Sequence, residues 1–328
     1  MSRLIRSALV RALGAVLSPG GANGRLSILI FHRVLSAPDS LLTEAIDARR
    51  FSQQMELLGS EFNVLPLGDA VERLVQGRLP PRAACVTFDD GYADNHDVAL
   101  PILKRAGIPA TFFIASGYLE GSRMWNDVVI EAVRQAQGAT LDLAHLGLGS
   151  HPVGSIEERR AAVHALLKAI KYRPSDERAE IAKGVAATAR TDSPANLMMA
   201  RSQVRALHSA GMEIGGHTVT HPILTRLSPQ EAEREMADGK AELEAIIGGP
   251  VRLFAYPNGK PTEDFGPEHV ALAKRMGFRA AVTTAWGAAR RSSDVFQLPR
   301  FTPWDRQPSK FALRLLLNTR RPAAEIYD

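Results

Sequence analysis

The chain predicts an α/β protein in which a mostly parallel sheet, open or closed into a barrel, is covered by helices. Three observations carry that expectation. Strand-like and helix-like runs alternate from residue 26 onward, the order that builds parallel sheets. The 328 residues suffice for one large α/β domain or two modest ones. A composition of 45% hydrophobic and 23% charged residues is that of a globular protein, not of a disordered or fibrous chain.

The elements follow in order. Residues 1 to 17 place Leu4, Ile5, Leu9, Ala12, Leu13 and Val16 at helical spacing, with Arg3, Arg6 and Arg11 largely off that stripe. The pattern reads either as a helix lying on a membrane surface or as one packed on its own domain. Arg11 interrupts the apolar run, which is too short for a signal-peptide core or a bilayer span. A cytoplasmic protein, or one peripheral at the membrane, is therefore the expected localisation. Past Pro19-Gly20-Gly21, "LSILIFHRV" (26–34) is a buried strand ending at His32. "ARRFSQQMELLGSEF" and "LGDAVERLVQGRL" read as helices, the second stopping near Gly77. A strand then runs into Asp89, and Pro101 in "VALPILKRAG" must lie in the first turn of a helix or kink it. "ATFFIA", "MEIGGH", "VRLFAYP" and "FRAAVTT" are the next strands. Ser228, Pro229 and Glu231 together announce a capped helix start. Residues 119–200 break the rhythm with mainly helical pattern and no strong strand, so they read as a helical insertion.

Charge and cysteine content exclude several classes. The formal net charge is +5, and Arg3, Arg6, Arg11 and Arg25 face no acid in the first 25 residues. That excess is local, and no basic patch is interleaved with aromatics, so no nucleic-acid partner is expected. The single cysteine, Cys85, rules out an intrachain disulfide or a multi-cysteine zinc site and reads as a small core residue.

Two stretches carry chemistry. In "AACVTFDDGYADNH" (83–96) an apolar strand ends in adjacent carboxylates, Asp89 and Asp90. Two acids side by side at a buried strand end either sit in a solvated turn or await a cation. In "GMEIGGHTVTHPIL", His217 and His221 stand four apart after a strand, a spacing that on a helical turn puts both imidazoles on one face. In a parallel α/β fold the carboxyl ends of the strands share one rim. That rim would collect Asp89 and Asp90, His217 and His221, Tyr256 to Asn258, and His32. Two histidines plus one carboxylate with positions left open make a catalytic zinc-type site, and a second carboxylate beside the ion suits a general base.

These residues resemble the polysaccharide deacetylases, carbohydrate esterases that remove N-acetyl groups from amino sugars. The family's first motif stands here as Thr87-Phe88-Asp89-Asp90-Gly91 and its second as His217-Thr218-Val219-Thr220-His221-Pro222. The likeness covers roughly residues 26–118 and 200–305. It implies a distorted (β/α) barrel of the polysaccharide deacetylase type with a helical insertion. It also implies Asp89 as general base, and Asp90, His217 and His221 as ligands of a divalent metal: zinc first, cobalt or nickel otherwise. The domains expected are a basic amphipathic segment at 1–25, a catalytic domain at 26–305 including the insertion, and a C-terminal helix and tail at 306–328.

The chain departs from the family in two places. The third motif's arginine, which pairs with the base, is Ala255 here, and its tyrosine, whose backbone N–H helps hold the oxyanion, is Asn258. Arg300 in "QLPRF" is the candidate substitute; a solvated strand-end charge is the alternative reading. No histidine follows His269 to serve as the family's C-terminal general acid. In relatives similar to biofilm poly-N-acetylglucosamine deacetylases that histidine lies near the N-terminus, which makes His32 the candidate acid. Asn258, Tyr256 and Trp125 are candidate substrate or oxyanion contacts. The activity implied is release of acetate from an N-acetylated glycan or its precursor. A catalytically silent carbohydrate-binding protein and an O-acetyl esterase are the alternatives, and residues 1–17 are the candidate peripheral membrane contact.

Overall fold

The computed structural model describes residues 14, 16–121, 123–191 and 197–321. Seven parallel strands form the frame: β1 (Leu26–Phe31), β2 (Ala83–Phe88), β3 (Thr111–Ile114), β4 (Glu213–Gly216), β5 (Leu253–Ala255), β6 (Ala280–Trp286) and β7 (Leu298–Arg300). Their order in space is their order in sequence, and the short strand Asn63–Val64 fills the edge of β2 below the point where β3 joins. Leu29 bridges Phe301, with Phe301 N–H donating to Ile28 O at 2.7 Å and Ile30 N–H to Phe301 O at 3.1 Å, so the sheet curls back onto β1. The result is a nearly closed (β/α) barrel, as the sequence predicts.

Strand composition follows from burial on both faces. All six residues of β2 are buried, which is why it reads as a continuous apolar run. Cys85 points into the lumen with Ile28, Phe113, Leu253, Val282 and Leu298. Val86 and Phe88 face the helical shell, where Phe88 stacks on Phe31 and Phe112 at centroid distances of 5.4 and 4.7 Å. This alternation sends Thr87 and Asp89 to the lumen side, opposite Phe88.

The shell helices are α1 (Ala48–Glu61), α2 (Leu67–Val75), α3 (Leu100–Ala106), α4 (Trp125–Gln135), α5 (Ile156–Ile170), α6 (Ser175–Ala189), α7 (Arg201–Ser209), α8 (Pro229–Ile247), α9 (Pro267–Arg275) and α10 (Pro308–Asn318). Pro101 is the second residue of α3, yet it lies inside a continuous helical run over 93–106, and the π-helical turn over Asn95–Ala99 directly before it is where the ladder widens to accommodate a residue with no N–H. Ser228 and Glu231 close the capping box at the start of α8. Helices α4 to α6 surround an apolar cluster of their own that includes Val129, Val133, Leu143, Leu166 and Val185. A hairpin, Thr140–Leu143 against Gly149–Pro152, completes that region. It is strand where no strong strand was expected, because four residues that bury only Leu141 and Leu143 give a weak alternating signal.

Among the described residues no helix is long and apolar enough to cross a membrane. The amphipathic pattern of residues 1–17 falls almost wholly outside the described residues, as does the tail from 322 onward.

Candidate active site

The site sits where strands β1, β2, β4 and β5 end. Asp89 leaves β2 with 2% of its surface exposed, and Arg300, on β7, reaches it across the lumen with 1% exposed. Nη1 donates to Asp89 Oδ1 and Nη2 to Oδ2, both at 2.7 Å, a bidentate pair. Arg300 is itself held by Nε–H donating to Thr283 O at 2.7 Å and by Nη1 donating to Thr87 Oγ1 at 3.3 Å. Burial pushes the Asp89 carboxyl up, but the Arg300 charge, aided by His217, holds it below the ordinary aspartate value. The guanidinium missing at Ala255 thus enters from another strand.

Asp90 adopts φ +77 and Gly91 φ +95, a left-handed turn that swings the second carboxylate away from the first. A side chain at Gly91 would also press on Ile114, whose Cγ2 would lie 3.0 Å from a Cβ. Asp90 Oδ1 faces His217 Nε2 at 3.5 Å and His221 Nε2 at 3.4 Å. The two histidines do not share a helical turn, contrary to the expectation from their spacing. They lie on an irregular loop in which Thr218 and His221 take φ +65 and +52. Thr218 Oγ1 accepts from His221 N–H at 3.1 Å, and Glu235 on α8 accepts from Val219 N–H and Thr220 N–H at 2.9 and 2.8 Å. Helix α8 can approach because residue 239 is glycine: a Cβ there would meet the Thr218 carbonyl carbon at 2.8 Å.

The donor set fits a divalent cation. Asp90, His217 and His221 each present a ligand atom within 4.8 Å of the others. Asp90 Oδ1 is buried with no hydrogen-bond partner, a costly state that a cation would relieve. His217 Nδ1 lies 2.7 Å from the Ala255 carbonyl, which can only accept. Nδ1 therefore carries a proton, and Nε2 is the atom turned toward Asp90 and available to a cation. Burial lowers His221 to about 4, with His217 and His32 adding to the effect against Asp90, so this ring is neutral and able to ligate. His217 is raised, because the Asp90 contact and the charges of Asp89 and Asp90 outweigh its burial.

The other predicted residues separate. His32 is exposed at the end of β1; its backbone carbonyl accepts from Asn95 Nδ2 at 2.8 Å, and its charge bears on Asp89, Asp90 and His221. Asn258 takes φ +59 in the turn after β5, where its carbonyl accepts from Thr284 Oγ1 at 2.8 Å. Tyr256 does not offer its ring to a substrate: it is fully buried and stacked on Phe265 at 3.9 Å. Trp125 is partly buried, packs against the α4–α6 cluster and carries the Arg178 guanidinium 5.6 Å above its ring. Asp127 is not the cap of α4, a place taken by Met124; it is buried and accepts from Tyr92 Oη at 3.2 and 3.1 Å. Burial raises Asp127 to about 7, against Arg33 and the Tyr92 hydrogen bond. Glu235, Tyr92 and the Ala255 carbonyl are missed by sequence reasoning, since none stands at a diagnostic spacing.

Comparison with known proteins identifies the family. The polysaccharide deacetylase family model matches residues 76–281. The polysaccharide deacetylase-type protein YxkH of Bacillus subtilis is 23% identical over 278 residues, 84% of this chain and 70% of its own. The poly-β-1,6-N-acetyl-D-glucosamine N-deacetylase of Staphylococcus epidermidis is 26% identical over 97 residues, 29% of this chain and 34% of its own. Among solved structures, the Streptococcus pyogenes deacetylase PplD in complex with acetate superposes with a TM-score of 0.61 at 20% identity, covering 91% of this chain and 100% of that one. The family match spans more than half the chain and contains both aspartates and both histidines, so this protein belongs to the polysaccharide deacetylase family.

Proposed function

We propose that the protein is a metal-dependent hydrolase that removes N-acetyl groups from the amino sugars of a polysaccharide or its precursor, releasing acetate. The observation that carries this reading is the division of labour between adjacent carboxylates: Asp89 is paired with Arg300, which takes one acceptor position on each oxygen, while Asp90 turns a bare oxygen toward two histidines. Asp90, His217 and His221 would hold the metal, zinc first with cobalt or nickel as alternatives. A divalent ion bound there supplies Lewis-acid polarisation of an acyl oxygen and lowers the pKa of water. Asp89, kept ionised by Arg300, receives the proton of the attacking water on a carboxylate oxygen. The water oxygen joins the acetyl carbon, the carbon–nitrogen bond breaks, and the sugar nitrogen leaves as an amine after taking a proton. His32, exposed on the same rim, is the candidate donor of that proton. The backbone N–H at Asn258 is the candidate support for the oxyanion. The Staphylococcus epidermidis relative is named for N-deacetylation of a glycan, which favours an amide over an ester substrate.

The test measures acetate released from N-acetylated and O-acetylated oligosaccharides before and after chelation. The expected result is release from the N-acetylated series, lost with chelator and restored by zinc or cobalt. Release from O-acetyl esters alone would make the protein an esterase. Glycan binding with no release from either series would make it a silent carbohydrate-binding protein.

A further inference from the structure

Six large apolar side chains are strongly exposed among the described residues, and four of them gather on one face: Val16 at 79%, Leu313 at 51%, Trp304 at 50% and Leu317 at 46%. Leu313 and Leu317 lie one turn apart on α10. With Lys310 and Arg314 they form a single stripe at i, i+3, i+4 and i+7, while Phe311, Ala312, Leu315 and Leu316 on the other side enter the core; Arg320 and Arg321 follow just past the end of the helix. Arg314 lies 5.2 Å over the Trp304 ring, which joins the tryptophan to the stripe. Thr319 Oγ1 donates to Leu17 O at 3.2 Å, which sets Val16 beside the far end of the helix.

The segment around α10 is also basic. Residues 301–321 contain five basic side chains (Arg306, Lys310, Arg314, Arg320 and Arg321) against the one acid Asp305, which Arg314 engages at 3.0 Å. At the foot of α10, Arg25, Arg290 and Arg320 come close enough to repel one another, and burial together with that repulsion lowers the Arg25 pKa. Exposed leucines on a helix, with a tryptophan just before it and lysine and arginine around them, suit the headgroup boundary of a bilayer. There the apolar tips enter the acyl region and the cationic heads stay with the phosphates. Arg314 is already paired with Asp305, but a purely apolar partner would leave Lys310, Arg320 and Arg321 without an anion, and a neutral membrane would leave them unattracted.

We propose that the outer face of α10, with Trp304, Val16 and the Arg25–Arg290–Arg320 cluster, docks the protein on an anionic lipid bilayer. The face lies outside the barrel wall, so it does not compete with the site formed by Asp89, Asp90, His217 and His221.

Co-sedimentation of the full chain with vesicles of phosphatidylcholine, and of phosphatidylcholine containing phosphatidylglycerol, tests this. The expected result is binding to the anionic vesicles only, weakened by high salt, with a blue shift of Trp304 emission that Trp304→Phe removes. The double variant L313D/L317D, checked for an unchanged melting temperature, should abolish binding. R290E/R320E should weaken binding by more than about tenfold. If the leucine pair destabilises the fold, Leu317→Ser with the same emission readout replaces it. Failure to bind either vesicle, equal binding to both, or anionic binding that survives both double variants would overturn the assignment. The last result would transfer the contact to residues 1–13. A concentration-dependent dimer dispersed by L313D/L317D would give the face to a second copy of the chain and overturn it as well.

Discussion

Asp89, at the end of barrel strand β2, and Asp127, on the first helix of the α4–α6 region, are carboxylates buried to a similar depth and treated in opposite ways. For both, burial is the largest influence and favours the neutral acid. Asp89 meets a guanidinium with two hydrogen bonds and stays ionised below its ordinary value. Asp127 meets a phenol, and its pKa rises to about 7. The partner, and not the depth, decides the charge state. The pH dependences are therefore opposite in sign. Asp89, with its pKa lowered, contributes stability above the unfolded value that is lost on acidification. Asp127, raised from 3.8, costs nothing below that value and progressively destabilises the fold as pH rises toward about 7.

Removing the partner of Asp89 should break the contrast most severely. Arg300→Met leaves a buried carboxylate uncompensated and is expected to cost about 3–5 kcal/mol in denaturant unfolding at neutral pH, much less in acid. A flat pH response would show that Arg300 does not set the charge of Asp89. Asp89→Asn should lower acetate release by about 10²–10⁴-fold while metal stoichiometry stays unchanged. Retained turnover would remove Asp89 from the base role. On the other side of the comparison, Asp127→Asn should stabilise the protein at pH 8 by on the order of 2 kcal/mol and leave it unchanged near pH 4. The smallest effect belongs to Tyr92→Phe, about 1 kcal/mol from one lost hydrogen bond. It should also shift the Asp127 titration, followed by carboxyl NMR, further upward. A downward shift would mean that Tyr92 does not stabilise the ionised form.

Much of this arrangement is legible in the residues. The run through Thr87-Phe88-Asp89-Asp90-Gly91 alternates lumen and shell sides on a strand whose two faces are both buried, and the capping box at Ser228 is entirely local. The placement of the two histidines is legible as proximity but not as geometry. Their spacing suggests a helical turn, whereas left-handed Thr218 and His221, tied to Glu235, make a loop. Tyr256 stands at the right position beside the rim, yet its ring stacks on Phe265 inside the core, because side-chain direction after a strand end is not set by spacing. Asp127 stands in the first turn of α4, and its partner Tyr92, 35 residues earlier, is announced by no local pattern.

The sequence by itself determined what depends on neighbours along the chain: strand and helix order, the doubled carboxylate ending a buried strand, the histidine pair, and the absence of an arginine at Ala255. Only the tertiary structure decided how the absent arginine is replaced. Arg300 lies 211 residues from Asp89 along the chain, and closure of the barrel between Leu29 and Phe301 is what brings β7 to face β2. Electrostatic pairing acts through space and requires charge, reach and burial together, while strand order specifies reach only once the sheet has closed.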